Sequence, residues 1–271
     1  MTGGRASAAN PNRSPNTPGS RLFARPSVPE VAAFASVVGL HFLLNRVVQD
    51  RFLVPASVGG AAIVAALARA AGATLEEQGL SPRDIPSGID AGGWSGALVA
   101  GATGAGLLFR PTRRFYLDDR VIRHTHVEAA YQALIRIPFG TALAEEVIFR
   151  GSLHALLRRR LPTPVAVVAG SALFGLWHII PTLDRIETNP FTKDTSAAHR
   201  TVSTASVVAL TSAFGLGFAF LRSRSGSVVA PTMAHAAANS VGLAGGWASA
   251  WIQAEMDRKT AEVRSRGRGE H

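Results

Sequence analysis

The stretch PVAVVAGSALFGLWHII, Pro164 to Ile180, contains no Asp, Glu, Lys or Arg and keeps an apolar character on every face of a helix. A helix of a soluble bundle would show one polar face to water. This one shows none, and a second stretch, Val202–Leu221, is equally bare of charge. A helix needs about 20 residues to cross a hydrocarbon core of roughly 30 Å. Similar apolar runs recur along the chain at about 28–48, 54–73, 92–109, 129–157, 164–180, 202–221 and 228–252, with Arg, Asp, Gly and Pro clustered between them. The pattern predicts an all-α, polytopic membrane helix bundle with about seven transmembrane helices (six to eight). The 54–73 run, interrupted by Arg69, and the 92–109 run are its weakest members.

The composition agrees. The chain has 271 residues, 47% hydrophobic and 17% charged, with 28 Lys+Arg against 18 Asp+Glu. Its pI near 11.4 first suggests a nucleic-acid binder, whose basic face would neutralise phosphates. However, all the basic residues except Lys193 and Lys259 are arginines, and they flank long apolar runs. Nucleic acid is therefore excluded as a partner, and the lipid bilayer takes its place. With no cysteine, the chain has no disulfide, thiolate metal site or cysteine nucleophile.

Three units follow. Residues 1–27, with Pro11, Pro15, Pro18, Pro26 and four arginines but no acid, read as a disordered basic tail. Residues 28–252 form the membrane domain, and 253–271 a polar, basic C-terminal tail. Arg158, Arg159 and Arg160 in one short loop and Arg222 and Arg224 in another place both loops on the cytoplasmic face. The expected location is the bacterial cytoplasmic membrane with a cytoplasmic N-terminus. Five arginines in 110–128 and the basic C-terminus would then lie outside, which leaves the helix count open by one or two.

Ionisable groups inside a membrane are costly and mark function. Within the 129–157 run stands Ala144-Glu145-Glu146-Val147-Ile148-Phe149-Arg150. Glu146 and Arg150 are i,i+4 and can pair, whereas Glu145 lies about 100° around the helix without a local partner. His178 ends the 164–180 run, and His235 and Asn239 form another i,i+4 pair. At about 1.5 Å per residue, Glu145 and His178 both sit roughly 20 Å from the cytoplasmic edge, and His235 and Asn239 roughly 10 to 17 Å. Small neighbours such as Gly140, Ala144, Gly170, Gly175 and Ala236 permit close helix approach. A glutamate and a histidine can hold and deprotonate a water, while a second histidine and an asparagine can donate to a developing oxyanion. That is a constellation for hydrolysing an amide or ester. Glu145, His178 and His235 also have the donor chemistry for a divalent metal such as zinc, although HExxH is absent.

EExxxR at Glu145-Glu146…Arg150, FxxxH at Phe174…His178 and HxxxN at His235…Asn239, in that order on separate apolar helices, resemble the CPBP family. This group comprises the CAAX-protease, Abi and bacteriocin-processing intramembrane proteases. The likeness covers about 129–241, and the polar stretch 75–91 resembles the loop that precedes the family's core. The resemblance implies an intramembrane endopeptidase, with or without a metal, acting on a membrane-associated protein or peptide. Glu145 and His178 would activate the water, His235 and Asn239 would form the oxyanion site, and Glu146 and Arg150 would support it. From the residues alone, a non-enzymatic scaffold or a proton-coupled transporter using the same polar cavity is the alternative, although such transporters commonly show internal repeats and none is visible between the halves.

Overall fold

The computed structural model describes residues 25–109, 124–188 and 194–268, without side-chain detail for 252–257 and 260–268. Most of the basic tail 1–27 and most of the arginine-rich 110–128 segment lie outside the described residues. Among the described residues the chain is all helical, with no strand. The long helices are α1 (Val28–Arg46), α2 (Leu53–Ala70), α3 (Ile85–Leu108), α4 (His126–Arg158), α5 (Thr163–Trp177), α6 (Ile179–Thr188), α7 (Ala197–Ser225) and α8 (Val229–Arg268).

Each apolar run thus lies on a helix. Among the described residues, four stretches are long and apolar enough to cross a membrane: Val28–Arg46, Asp50–Ala70, Thr163–Thr188 and Ala197–Ser225. α3, rich in glycine, and α4 and α8, which carry the polar residues, fall outside that set of four, against an expectation of about seven. Two further differences concern the connections. α6 occupies the start of what reads in sequence as a long 181–201 loop, and α8 continues helically from the membrane domain through 253–268.

Polar contacts at the two ends show that the rods alternate in direction. At one end Arg160 pairs with Glu30 at the start of α1, and Arg159 Nη1 donates to Gly72 O (2.6 Å) and Glu77 Oε2 (3.2 Å). At that same end Arg222 Nη2 donates to the carbonyls of Glu76 and Glu77 (2.9 and 3.0 Å), and Ser87 Oγ to Ser225 O (2.6 Å). The opposite end carries Arg46–Asp184 (2.6 Å), Arg136–Asp50 (3.4 Å) and the Trp247 indole on His124 O (3.0 Å).

The loop between α2 and α3 is docked in place. A capping box starts a single turn at Thr74: its Oγ1 accepts from Glu77 N (3.1 Å), and Glu77 Oε2 accepts from Thr74 N (2.7 Å). Gly79 ends that turn at φ 67°, in the left-handed region that glycine occupies at little cost, directly against the Arg222 guanidinium. Its carbonyl then accepts from Val228 N (3.0 Å) at the entry to α8.

α3 lies along α8 with Gly88, Gly92 and Gly96 facing it, each four residues apart, so that the two backbones approach where Cβ atoms at 88 and 92 would meet Ser227, Val229 and Met233. α4 is not uniform. Gln132–Leu143 and Val147–Leu153 turn in the wide π manner, flanking a short α-turn at Ala144–Glu146. Pro138 within the first π segment has no N–H to give and would clash with the carbonyl a turn back, and wider turns accommodate both defects.

Candidate active site

α4, α5, α7 and α8 meet around the Ala144–Glu146 turn. Glu146 is fully buried, at 0% exposure. Its Oε1 accepts from Arg150 Nη1 (3.2 Å), the predicted i,i+4 pair, and from His235 Nδ1 (2.9 Å) on α8. The Arg150 guanidinium, 3% exposed, lies 4.0 Å from the centroid of Phe174 on α5 and 5.2 Å from that of Phe218 on α7. Those ring faces attract a cation that has lost its water. His235 stacks on Phe218 (5.0 Å, 18°) and meets the edge of Phe174 (5.8 Å, 89°). With Nδ1–H given to Glu146, the ring turns Nε2 toward Glu145.

Glu145 stands on the neighbouring face and is treated differently. Its side chain is 13% exposed. Oε1 accepts from the Trp177 indole N–H (3.1 Å), while Oε2 is buried without a hydrogen-bond partner, 4.0 Å from His235 Nε2. His178, the next residue after Trp177, is half-buried at the end of α5. Its Nδ1–H donates to Phe174 O (2.8 Å), which leaves Nε2 as the nitrogen able to accept. Phe174 packs against His178 as well, at 4.8 Å.

Of the six residues singled out in the sequence, Glu145, Glu146, Arg150 and His235 are joined by direct contacts. His178 enters through Trp177 and Phe174. Asn239 is not brought in: it is exposed one turn beyond His235 and makes no hydrogen bond among the described residues. Nor do Glu145, His178 and His235 form a ligand set, because among the described residues no group of three His, Asp or Glu side chains is placed to hold a metal ion.

Two further residues belong to this neighbourhood. Trp177 donates to Glu145; a buried indole N–H in an apolar helix needs an acceptor, and that need was the available signal. His41 on α1 lies 4.3 Å from the Trp177 ring. It stands four residues before Asn45, the same spacing as His235 and Asn239.

Residues 128–241 match the family described as Rce1-like, type II CAAX prenyl endopeptidase Rce1-like. This is the likeness that the three motifs carry, and the matched segment holds all six residues while leaving out α1 to α3. No curated protein and no solved structure matches the chain.

Proposed function

With that family match as premise, we propose that the chain is an intramembrane endopeptidase. It hydrolyses a peptide bond in a membrane-associated protein or peptide, with a CAAX-like prenylated C-terminus as the substrate class that the family's description suggests. The observation that carries this reading is Glu145 Oε2, buried and unpartnered 4.0 Å from His235 Nε2. The proposed nucleophile is a water hydrogen-bonded at about 2.8 Å to that oxygen.

In the reaction the water lies at Glu145 Oε2, oriented by His178 Nε2. Glu145 takes one proton while the water oxygen bonds to the scissile carbonyl carbon. The resulting oxyanion accepts from Nε2–H of doubly protonated His235, with Asn239 as a second donor. When the C–N bond breaks, the proton on Glu145 passes to the departing amine, giving a carboxylic acid and a free amine and restoring the Glu145 carboxylate. Glu146 holds His235 by its Nδ1, and Arg150 offsets one of the two carboxylate charges.

The chain is further proposed to span the membrane about seven times, its N-terminus and the Arg158–Arg160 and Arg222–Arg224 loops on the cytoplasmic side. Because the chain lacks cysteine, Ser223→Cys offers a single thiol, expected to react with an impermeant maleimide only from the cytoplasmic face of oriented vesicles.

The activity test uses the full chain reconstituted in liposomes with a quenched-fluorophore, farnesylated CAAX peptide. Wild type is expected to cleave it and Glu145→Gln to be at least about 100-fold slower while still folded. Full cleavage by Glu145→Gln would sink the reading.

A further inference from the structure

The family match begins at residue 128, yet a side chain from α1 reaches the site. The His41 ring lies 4.3 Å from the Trp177 ring at 42°, and Phe149 closes the same indole at 5.4 Å and 77°. The indole thus touches two rings from different helices, with its N–H on Glu145 Oε1 at 3.1 Å. His41 is itself fixed. The Asn45 amide donates to His41 O (2.7 Å) and lies 3.2 Å from its Nδ1. The following residue, Arg46, grips both carboxylate oxygens of Asp184 on α6 (2.6 and 3.0 Å), tying this end of α1 to the helix that follows His178.

We infer that His41 is a positioning residue for Glu145, acting through Trp177. The inference rests on Glu145 being the proton acceptor. The terminal torsion of a glutamate is broad and roughly two-fold, so a free carboxylate interchanges its oxygens. One N–H fixed on Oε1 stops that interchange and leaves Oε2 facing His235. The indole can do this only if its own plane is fixed, and His41, in ring contact at 4.3 Å, helps to fix it. The role belongs to the ring's packing and not to its proton, so a flat apolar ring serves in its place.

The test measures kcat and KM on the farnesylated CAAX peptide with the full chain in liposomes. His41→Ala and Trp177→Phe are each expected to lower kcat about 10- to 100-fold, the scale on which a misplaced reacting group is felt, with little change in KM. Because both act on one contact, the double variant is expected to be no slower than the worse single one. His41→Phe is expected to restore most of the rate. A readout independent of activity is the indole N–H hydrogen-bond band in the resonance Raman spectrum of a protein whose only tryptophan is Trp177, made by Trp94→Phe, Trp247→Phe and Trp251→Phe. His41→Ala is expected to shift that band toward a weaker bond.

Additive losses in the double variant, or a His41→Phe protein as slow as His41→Ala, would overturn the role assigned to packing. A Glu145→Gln protein slowed as expected, beside a His41→Ala protein with unchanged rate and Raman band, would remove the positioning alone. Full activity in Glu145→Gln would remove the base on which it rests.

Discussion

Glu145 and Glu146 are neighbours in the chain and opposites in their surroundings. Glu146 is sealed: one of its oxygens is engaged twice, by Arg150 and by His235, and the other, like Glu145 Oε2, is buried without a hydrogen-bond partner. Glu145 is partly open, held on one oxygen by Trp177 and free on the other. One helical step of about 100° separates the two environments. A buried carboxylate paired with an arginine is committed to holding its neighbours, whereas a partly open carboxylate with no arginine of its own can exchange a proton. The two positions can therefore be told apart by what each one's loss does.

The largest effect is expected at Glu145. Glu145→Gln keeps the acceptor for Trp177 and removes the proton acceptor, so peptide hydrolysis should fall by about 10²- to 10⁴-fold, the range of general-base catalysis. Thermal unfolding in detergent should stay within a degree or two of wild type. A large loss of stability at Glu145 would erase the contrast.

Glu146 should respond in the opposite way. Glu146→Ala leaves Arg150 buried and uncompensated, a loss that costs about 3–5 kcal/mol when one partner of a buried pair is removed. Unfolding midpoints and the yield of folded protein should drop together. If the pair exists to hold His235 and not to stabilise the bundle, replacing both partners sharpens the point. Glu146→Leu with Arg150→Met should recover stability to within about 1 kcal/mol of wild type, because well-packed apolar side chains often match a buried ion pair. Hydrolysis should stay low, since His235 Nδ1 has lost its acceptor. Recovery of activity along with stability would show that Glu146 orients nothing.

Much of this contrast is legible in the amino-acid sequence. The spacing of Glu146 and Arg150 gives their pair directly, and counting residues from the arginine loops puts Glu145 and His178 at one depth. The fold then joins Glu145 to Trp177, the residue beside His178. The bare runs give the helices, since a stretch without a polar face has few alternatives. What stays hidden depends on contacts between distant segments. That His235 pairs with Glu146 while only facing Glu145 follows from the rotation of α8 about its axis, which no local pattern encodes. His41 reaches Trp177 from 136 positions earlier in the chain, within an apolar run whose other residues give no reason to single it out. α6 escapes because its mixed polar and apolar residues read as a loop once the membrane runs have been assigned.

Asn239 is where the residue pattern and the geometry part, and it carries the smallest expected effect. Its spacing from His235 places it as an oxyanion donor, and removing a full oxyanion donor costs about 10²- to 10³-fold in kcat. Yet it stands exposed and without a hydrogen bond among the described residues, while His235 is buried and oriented by Glu146. A donor that nothing holds must be ordered by substrate at each turnover, which reduces its worth in the transition state. Asn239→Ala is therefore expected to lower kcat by no more than about tenfold, roughly 1.4 kcal/mol, and to leave stability unchanged. His235→Ala should exceed it in both rate and stability. A loss at Asn239 equal to that at His235 would mean that bound substrate turns this part of α8 inward, and that the open half of the site is assembled only during the reaction.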